Sequence, residues 1–470
     1  MHEGGAPALI LRPGVSPDRL VVWEPERRMT AADVLAASEA RRAACASCGI
    51  GPGTRVMLAC HARAETLVDA AALGALGAAV VPVSPTLTQA EREGLASRFG
   101  IRFVVELNSV TPTGAPAPAS PPAFAGPPVL GLLSSGSTGA PKLVWRSSAQ
   151  VEAASAIFQR SLPLEDGDRV LAVIPPEHSY GFQNLLWNTV RGLLTGGAAA
   201  IALVFPRTQH PRAVVRRARE AGVTVFPGAP AFLDMVTRSV APEDMPEGLR
   251  VCISVGTALS ARIHGAFTSR FGVPLWQSYG ASEAGPVCLN RRGTATGDLV
   301  DLGTVCDGVT VRIVGDDGAD AADGVTGEIV IETPAVGLSY EGGTDGASRM
   351  EPGVFHTGDL GVREGGTLRF AGRRKLLIAA AGNKVDPVEV EEALLAHPAV
   401  ADVAVVPHRT EDARELVKAL VVRRGEVDAV ALMDFCAGRL AAFKVPRIVE
   451  FRESLPRNAM GKLLRAELDA

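Results

Sequence analysis

The chain has 470 residues, 47% of them hydrophobic, so it is long and apolar enough for about three domains with sizeable cores. Its formal net charge is −4 with both signs spread along the sequence, which disfavours nucleic acid as a partner. Seven cysteines without a regular framework and no apolar run near the roughly 18 residues of a membrane span predict a globular, cytoplasmic protein.

Cys45 and Cys48 form the first pattern of note, a CxxC pair. The chain shows no second pair and no histidine at ligand spacing. A position on a helix surface is therefore favoured over a zinc or redox site.

The first 370 residues alternate short apolar runs with alanine-rich stretches. Residues 55–59 and 79–83 predict two strands around a helix over 65–76, the βαβ pattern of a parallel sheet. The alternation continues through four further predicted strands and a helix, at residues 169–174, 199–204, 223–226, 251–255 and 211–221. This alternation of strands and helices predicts a large α/β body.

Residues 111–128, rich in Pro, Ala, Gly and Ser, predict a loop that leads into the apolar strand 129–133. The polar stretch that follows resembles a polyphosphate cradle, because glycines expose backbone N–H groups, hydroxyls add donors and a lysine adds positive charge. Its spacing is not that of a Walker loop, and a flexible surface loop is the alternative for this stretch alone. The residues concerned are Ser134, Ser135, Gly136, Ser137, Thr138, Gly139 and Lys142.

From residue 309 the sequence changes to short strand patterns, at 310–314 and 327–332, which predict a small β-rich subdomain. Beyond residue 372 a compact α+β unit is expected. Asp386 is the predicted N-cap of a helix that ends near His397, and a strand at 400–406 follows.

Five motifs resemble those of the adenylate-forming superfamily in order and spacing. That superfamily contains the acyl-CoA synthetases, the adenylation domains of nonribosomal peptide synthetases and the luciferases. The resemblance implies an α/β fold: an N-terminal domain over 1–371 with parallel α/β sheets and a small β-rich subdomain, a hinge at 372–376, and a small mobile α+β lid over 377–470. The motifs are the stretch 134–142, QSYGASE at 277–283, FHTGDL at 355–360, GRRK at 372–375 and the Gly461-Lys462 tail.

The resemblance implies an AMP-forming ligase that joins a carboxylate to the α-phosphorus of ATP, releases pyrophosphate and passes the acyl group to an acceptor. The stretch 134–142 would hold the β and γ phosphates. Glu283, with Thr138, would hold Mg²⁺, which prefers oxygen ligands. The remaining implied nucleotide contacts are Ser282 at the α-phosphate, Tyr279 on adenine, Asp359 on the ribose hydroxyls, Arg373 at ribose and phosphates, and the small residues Gly256, Thr257, Ala258 and Gly280 between adenine and acid.

Lys462 is the implied catalytic lysine, bridging the acid and the α-phosphate as charge shifts in the transition state. Lys375 takes the hinge position, about which the lid would swing between two half-reactions. Gly382 would let a pantetheine thiol pass close to the backbone. The sequence departs from the family at Ala379, where a lysine is often found, so the second step is less firmly implied than the first.

For the acid, residues 175–182 match the segment that walls the acyl pocket, and the aspartate that pairs with an amino acid's ammonium is lacking. His178 is expected to orient the carboxylate or gate the pocket, the alternative being a histidine that caps a turn. A flat aromatic or a short to medium acyl group would suit such a pocket. Its expected lining is His178, Phe182, Phe226, Gly228, Val255 and Gly280.

Three outcomes are compatible with these residues. The first is an acid–thiol ligase acting on CoA or on the phosphopantetheine of an acyl or aryl carrier protein. The second is adenylation followed by transfer to an amine or another non-thiol acceptor in specialised metabolism. The third is a non-catalytic descendant that binds nucleotide or acyl ligand, which the joint presence of the five charged motif residues argues against: Lys142, Glu283, Asp359, Arg373 and Lys462.

Overall fold

The computed structural model describes most of the chain. The described residues are 9–116, 126–135, 141–162, 164–195, 198–343, 348–374, 376, 378–380, 383–410, 415–458 and 461–468. Within these ranges, none of the helices is long and apolar enough to cross a lipid bilayer.

The helices and strands are as follows in chain order. The α-helices are α1 Ala31–Ser47, α2 Ala64–Ala75, α3 Gln89–Phe99, α4 Ser148–Ser161, α5 Asn188–Leu194, α6 Pro211–Glu220, α7 Pro230–Ser239, α8 Ala261–Phe271, α9 Pro387–Leu395 and α10 Ala429–Ala437; a π-helix covers Tyr180–Trp187. The strands up to the β-rich part are β1 Leu20–Trp23, β2 Arg28–Thr30, β3 Arg55–Ala59, β4 Ala79–Val83, β5 Phe103–Glu106, β6 Ser109–Pro112, β7 Pro128–Ser135, β8 Pro141–Ser147, β9 Arg169–Leu171, β10 Ala202–Val204, β11 Val225–Gly228, β12 Val251–Ser254, β13 Leu275–Ala281 and β14 Gly285–Asn290. The later strands are β15 Ala295–Thr296, β16 Leu299–Val300, β17 Thr304–Val305, β18 Thr310–Val314, β19 Thr326–Glu332, β20 Ser339–Glu341, β21 Arg349–Glu351, β22 Val354–Glu364, β23 Thr367–Arg373, β24 Ile378–Ala380, β25 Asn383–Val385, β26 Val400–Arg409, β27 Glu415–Arg423 and β28 Ile448–Arg452.

Two large sheets form the body. One has the order β20-β8-β7-β4-β3-β5-β6, and the other β17-β14-β13-β12-β11-β9-β10-β1-β2. Their central strands pair in parallel, as βαβ units require. One hydrophobic core takes residues from both sheets, such as Val80 and Ile253, so the sheets share a core and form a single body.

Two smaller sheets follow along the chain. An antiparallel sheet, β18-β19-β22-β21 with β23 on β22, forms the β-rich part. The last sheet, β25-β24-β27-β26 with β28 on β27, packs with α9 and α10 around a separate core that includes Val403 and Leu432. We call this last unit, from Ile378 onward, the lid.

The α/β class predicted from the sequence is confirmed, and several predicted strands coincide with β3, β4 and β18. The strand expected at 169–174 ends at Leu171, ahead of two consecutive prolines that cannot donate to a ladder. Cys45 is buried in the core against α2, so the expectation of a surface position is wrong for it, while Cys48 is exposed. The loop expected at 111–128 begins with two residues of β6.

Candidate active site

A cavity of about 1470 Å³ lies between the body and the lid, at the carboxyl ends of the parallel strands β11, β12 and β13. Ligand sites in open α/β sheets occur at this edge. The cavity brings together thirteen residues that the sequence motifs had singled out over more than 300 positions. They are Lys142, His178, Val255, Gly256, Thr257, Ala258, Tyr279, Gly280, Ser282, Glu283, Asp359, Arg373 and Lys462.

Other expected pocket residues lie elsewhere. Phe182 packs in the core shared by the two large sheets, and Phe226 packs against Phe232 beneath the other face of the nine-stranded sheet. Gly228 is closely packed, because a Cβ there would lie 3.1 Å from a methyl carbon of Leu233. The apolar character that suggested a pocket wall is thus used for core packing. Gly136, Ser137, Thr138, Gly139, Lys375 and Gly382 lie outside the described residues.

The expected phosphate loop connects β7 to β8, two antiparallel strands in which Ser134 and Ser135 are the last residues of β7 and Ser134 is paired with Lys142. Lys142 is almost fully buried, and its ammonium lies 4.1 Å from the centre of the Tyr340 ring. The Tyr340 hydroxyl in turn donates a 2.9 Å hydrogen bond to Oε1 of Glu283. Tyr340 therefore connects Lys142 to Glu283, the carboxylate expected to hold magnesium. No sequence motif indicated Tyr340.

Glu283 is buried, with only 8% of its surface exposed. The guanidinium of the fully buried Arg146 donates to the Ser282 carbonyl at 2.7 Å. Burial lowers the pKa of Arg146 to about 10, and the nearby charge of Glu283 opposes part of that shift. Arg146 follows three buried apolar residues in β8, and an arginine at such a place in a strand was the sequence signal for its role.

The residues around Glu283 suit a Mg²⁺ ion that binds together with a triphosphate. No group of three or more His, Cys, Asp or Glu side chains able to hold a metal occurs in the part of the chain that the structure describes. Mg²⁺ bound beside a triphosphate takes one or two carboxylates and obtains its other ligands from phosphate and water. A single buried carboxylate next to a cationic loop matches that requirement.

Asp359 stands where β22 pairs with β23 and is 4% exposed. The Tyr279 hydroxyl donates to its Oδ2 at 2.8 Å, and Nε of Arg373 lies 2.6 Å from its Oδ1. The ion pair raises the pKa of Arg373, while burial and the facing carboxylate raise that of Tyr279. Oδ1 accepts no well-aligned hydrogen bond from any described residue, so it retains the capacity to accept one from a ribose hydroxyl.

Two glycines shape the nucleotide side of the cavity. Gly256, two residues after the end of β12, has φ +92°, a conformation that suits glycine, and it leads into Thr257 and Ala258. A Cβ at Gly280 would lie 2.6 Å from the carbonyl oxygen of Gly285, where the β13–β14 register shifts. A side chain at Gly280 would therefore force the two strands apart below the site.

His178 precedes the π-helix, and the backbone N–H of Tyr180 donates to its Nδ1 at 3.2 Å. Nδ1 thus accepts, so the ring proton lies on Nε2. Burial, with a smaller effect from Lys462, lowers the pKa of His178 to about 4, so the ring is neutral near pH 7. His178 both caps the π-helix and offers a neutral N–H donor at the cavity wall.

Lys462 reaches the cavity from the lid. The backbone N–H of Lys462 donates to Oδ1 of Asn458 at 3.0 Å, and that of Asn458 donates to the Lys462 carbonyl at 2.9 Å, which closes a tight turn. The lysine side chain remains exposed on the cavity side, yet partial burial and the charge of Arg373 lower its pKa. The turn is anchored by Arg457, whose guanidinium pairs with Asp402 of β26 at 2.5 Å.

The lid and the body approach each other closely at two places. A Cβ at Gly461 would contact Ala231 of α7 at 3.4 Å, and one at Gly372 would lie 2.8 Å from a carboxylate oxygen of Asp386, the residue that caps α9. The predicted N-cap is present. In the first turn of α9, Glu389 pairs with Lys444 at 2.6 Å.

Comparison with protein families places most of the cleft in a known group. The family described as "AMP-binding enzyme" matches residues 12–120 and 109–341, and the family described as "AMP-binding enzyme C-terminal domain" matches residues 389–462. The second match covers most of the lid.

Two curated relatives and one solved structure illustrate the similarity. A sulfoacetate–CoA ligase of Cupriavidus necator is 31% identical over 73% of this chain and 66% of its own length. A 2-succinylbenzoate–CoA ligase of Bacillus cytotoxicus is 31% identical over 72% of this chain and 69% of its own length. The fold matches that of O-succinylbenzoate coenzyme A synthetase from Bacillus subtilis in complex with ATP and magnesium ion, with a TM-score of 0.83, 24% identity and 97% of each chain covered.

Proposed function

Because the chain belongs to the AMP-binding enzyme family of adenylate-forming acid ligases, we propose that it activates a small carboxylic acid with ATP and transfers the acyl group to coenzyme A. One observation supports this most strongly. A single cleft contains a buried carboxylate pair for nucleotide and metal, Asp359 and Glu283, and two lysines that approach it from opposite domains, Lys142 and Lys462.

In the first step, an oxygen of the acid attacks the α-phosphorus of ATP and pyrophosphate leaves. Two anions must meet for this to happen, so the site must neutralise charge and hold the reactants in line. Lys142 faces the expected β and γ phosphates, and Asp359 holds the ribose with Arg373 beside it. Mg²⁺ held at Glu283 would neutralise phosphate charge when bound.

The lid lysine supplies the interaction that changes most during this step. As the acid oxygen bonds to phosphorus, negative charge moves toward the bridging and equatorial oxygens, and a cation placed there stabilises the transition state more than the ground state. Lys462 enters the cavity where the charges of Arg373, Asp359 and Glu283 all act on it. The neutral His178 can donate to the acid from Nε2 without adding a second positive charge beside Lys462.

In the second step, the thiol attacks the acyl carbonyl carbon, AMP leaves with the bonding electron pair, and the thiol proton passes to solvent or to a basic group. The named relatives, including a benzoate–CoA ligase of Thauera aromatica, support coenzyme A as the thiol. A carrier-protein phosphopantetheine presents the same thiol. Assays with each acceptor separate the two.

Exchange of labelled pyrophosphate into ATP tests the first step without any acceptor. The purified chain is incubated with ATP, Mg²⁺ and one acid from a panel of aryl, acyl, dicarboxylic and amino acids. We expect exchange with aryl or acyl acids and none with free amino acids, followed by a mass-detected acyl-CoA when CoA is added. Absence of exchange across the panel, although ATP still binds, would contradict the proposed function.

A further inference from the structure

The cavity lining carries buried polar groups that the mechanism above does not use. We propose that the site selects an acid whose acyl group bears an additional oxygen acceptor, such as a hydroxyl, keto or second carboxylate group, recognised by Gln183 and Arg146. This inference rests on the proposed function, because it concerns the acid that the same site activates.

Gln183 lies in the π-helix two residues after Gly181 and is 2% exposed. Its Oε1 accepts a 3.1 Å hydrogen bond from Nη1 of Arg146. A guanidinium has only donors, so this bond fixes which end of the amide faces Arg146. The Nε2 group must then face away from Arg146, and it has no hydrogen-bond partner among the described residues.

Arg146 carries the second unsatisfied donor. Its two terminal nitrogens bond to Gln183 and to the Ser282 carbonyl, while its buried Nε donates to nothing within the ranges described. Both residues line the cavity, and Arg146 contacts the carbonyl of Ser282, the residue next to Glu283. Buried polar groups in proteins are almost always hydrogen-bonded, so two unpaired donors on one wall indicate a ligand oxygen.

An unpaired acceptor also lines the cavity. Oε1 of Gln277, on β13, is buried and unpaired in the described structure. A hydroxyl, a keto oxygen or a carboxylate oxygen on the acyl group could each accept from Gln183. The donors outnumber the acceptor, so an acceptor oxygen is the shared requirement.

The surroundings explain why this preference would be strong. The π-helix is held close to the preceding turn, since a Cβ at Gly181 would lie 2.3 Å from the carbonyl oxygen of Pro175. The backbone that carries Gln183 therefore has little freedom to move away when an apolar acid binds. An acid without the acceptor would leave buried donors unpaired, and sites of this kind discriminate by at least about 10-fold.

Pyrophosphate exchange with size-matched acids tests the inference. The pairs are benzoate with its 2-, 3- and 4-hydroxy derivatives, and pentanoate with 4-oxopentanoate and succinate, which separate hydroxyl, keto and carboxylate acceptors. We expect at least one acceptor-bearing acid to exceed its unsubstituted partner by about 10-fold or more in kcat/KM.

Two variants identify the residue responsible. Gln183→Met removes the amide at similar length, and Gln183→Glu keeps the acceptor for Arg146 while removing the N–H donor. Both should lose the preference for the acceptor-bearing acid, with little change in the KM for ATP. Ser155→Ala is the matched control, because Ser155 is a buried, unpaired hydroxyl on α4 that does not line the cavity, and it should keep the preference.

The outcomes separate the two proposals. Equal use of paired acids by the wild type, or variants that lower the rates for both acids alike, would overturn the role of Gln183 while leaving adenylation intact. Absence of exchange with every acid would instead overturn the proposed function itself.

Discussion

The two sides of the cleft hold their charged groups in different ways. On the body, Asp359 and Glu283 are buried and already hydrogen-bonded to tyrosines. On the lid, Lys462 is exposed, and the neighbouring Asn458 and Arg457 form bonds within the lid. The body thus has a preformed nucleotide site, whereas the lid contributes one charge that depends on how the lid docks.

This contrast fits the order of events in the proposed reaction. Side chains that are already held in place need little rearrangement when the nucleotide binds. A charge delivered by a separate domain can be present for one step and withdrawn for the next. The following substitutions test this difference between the body and the lid, in order of decreasing expected effect on exchange.

Of the next three substitutions, Asp359→Asn should have the largest effect. The neutral amide loses the charge that pairs with Arg373 and accepts ribose hydroxyls less well, so exchange kcat/KM should fall about 100-fold, mainly through the KM for ATP. The measurement is exchange at varied ATP. Asp316→Asn is the control, because its carboxylate makes the same kind of pair with Arg374 at 3.2 Å but is 81% exposed. An Asp359 variant with a normal KM for ATP would argue against a preformed nucleotide site.

Tyr340→Phe should have a smaller effect on the same side. It keeps the ring beside Lys142 and removes only the hydroxyl that donates to Glu283, so exchange should fall about 10-fold. The Mg²⁺ concentration for half-maximal exchange should rise as well, since Glu283 loses the contact that orients it. Unchanged Mg²⁺ dependence would show that the Tyr340 bond does not position the metal ligand.

Glu392 on α9 tests lid docking, with the smallest expected effect. Its carboxyl group contacts Ser260 on the body; burial raises its pKa to about 7, although Arg262 attracts its charge, and Glu391 and Asp298 repel it. A raised pKa means that docking binds a proton, so docking weakens as pH rises from about 4.5 to about 7 and is constant above.

Glu392→Gln should remove that dependence. The ratio of variant to wild-type exchange should rise about threefold between pH 5.5 and pH 8, because only the wild type loses a proton that docking favours. Glu389→Gln is the control, since Glu389 pairs with Lys444 inside the lid, and its ratio should stay flat. A flat ratio for Glu392→Gln as well would show that this carboxyl does not titrate on docking.

The sequence predicted the parts of this site that lie in contiguous motifs. Residues 277–283 and 355–360 each form a contiguous motif that can be recognised in the sequence. The strands β3 and β4 are predicted by apolar runs bounded by turns. Tyr340 and Gln183 could not be predicted, because their roles arise from contacts with Glu283 and Arg146, which are distant in the sequence. Phe182 and Phe226 were expected at the pocket, but an aromatic in a buried segment packs equally well in a core, and only the tertiary structure separates the two.

The most direct test of the division between body and lid is Lys462→Ala, measured for both pyrophosphate exchange and ATP binding. We predict that exchange falls by about 100- to 1000-fold while the Kd for ATP stays within about threefold, because the lost cation acts in the transition state. Lys418→Ala, which removes a lid lysine paired with Glu450 on the lid sheet, should change neither value. Unchanged exchange in Lys462→Ala would contradict the claim that the lid supplies the catalytic charge.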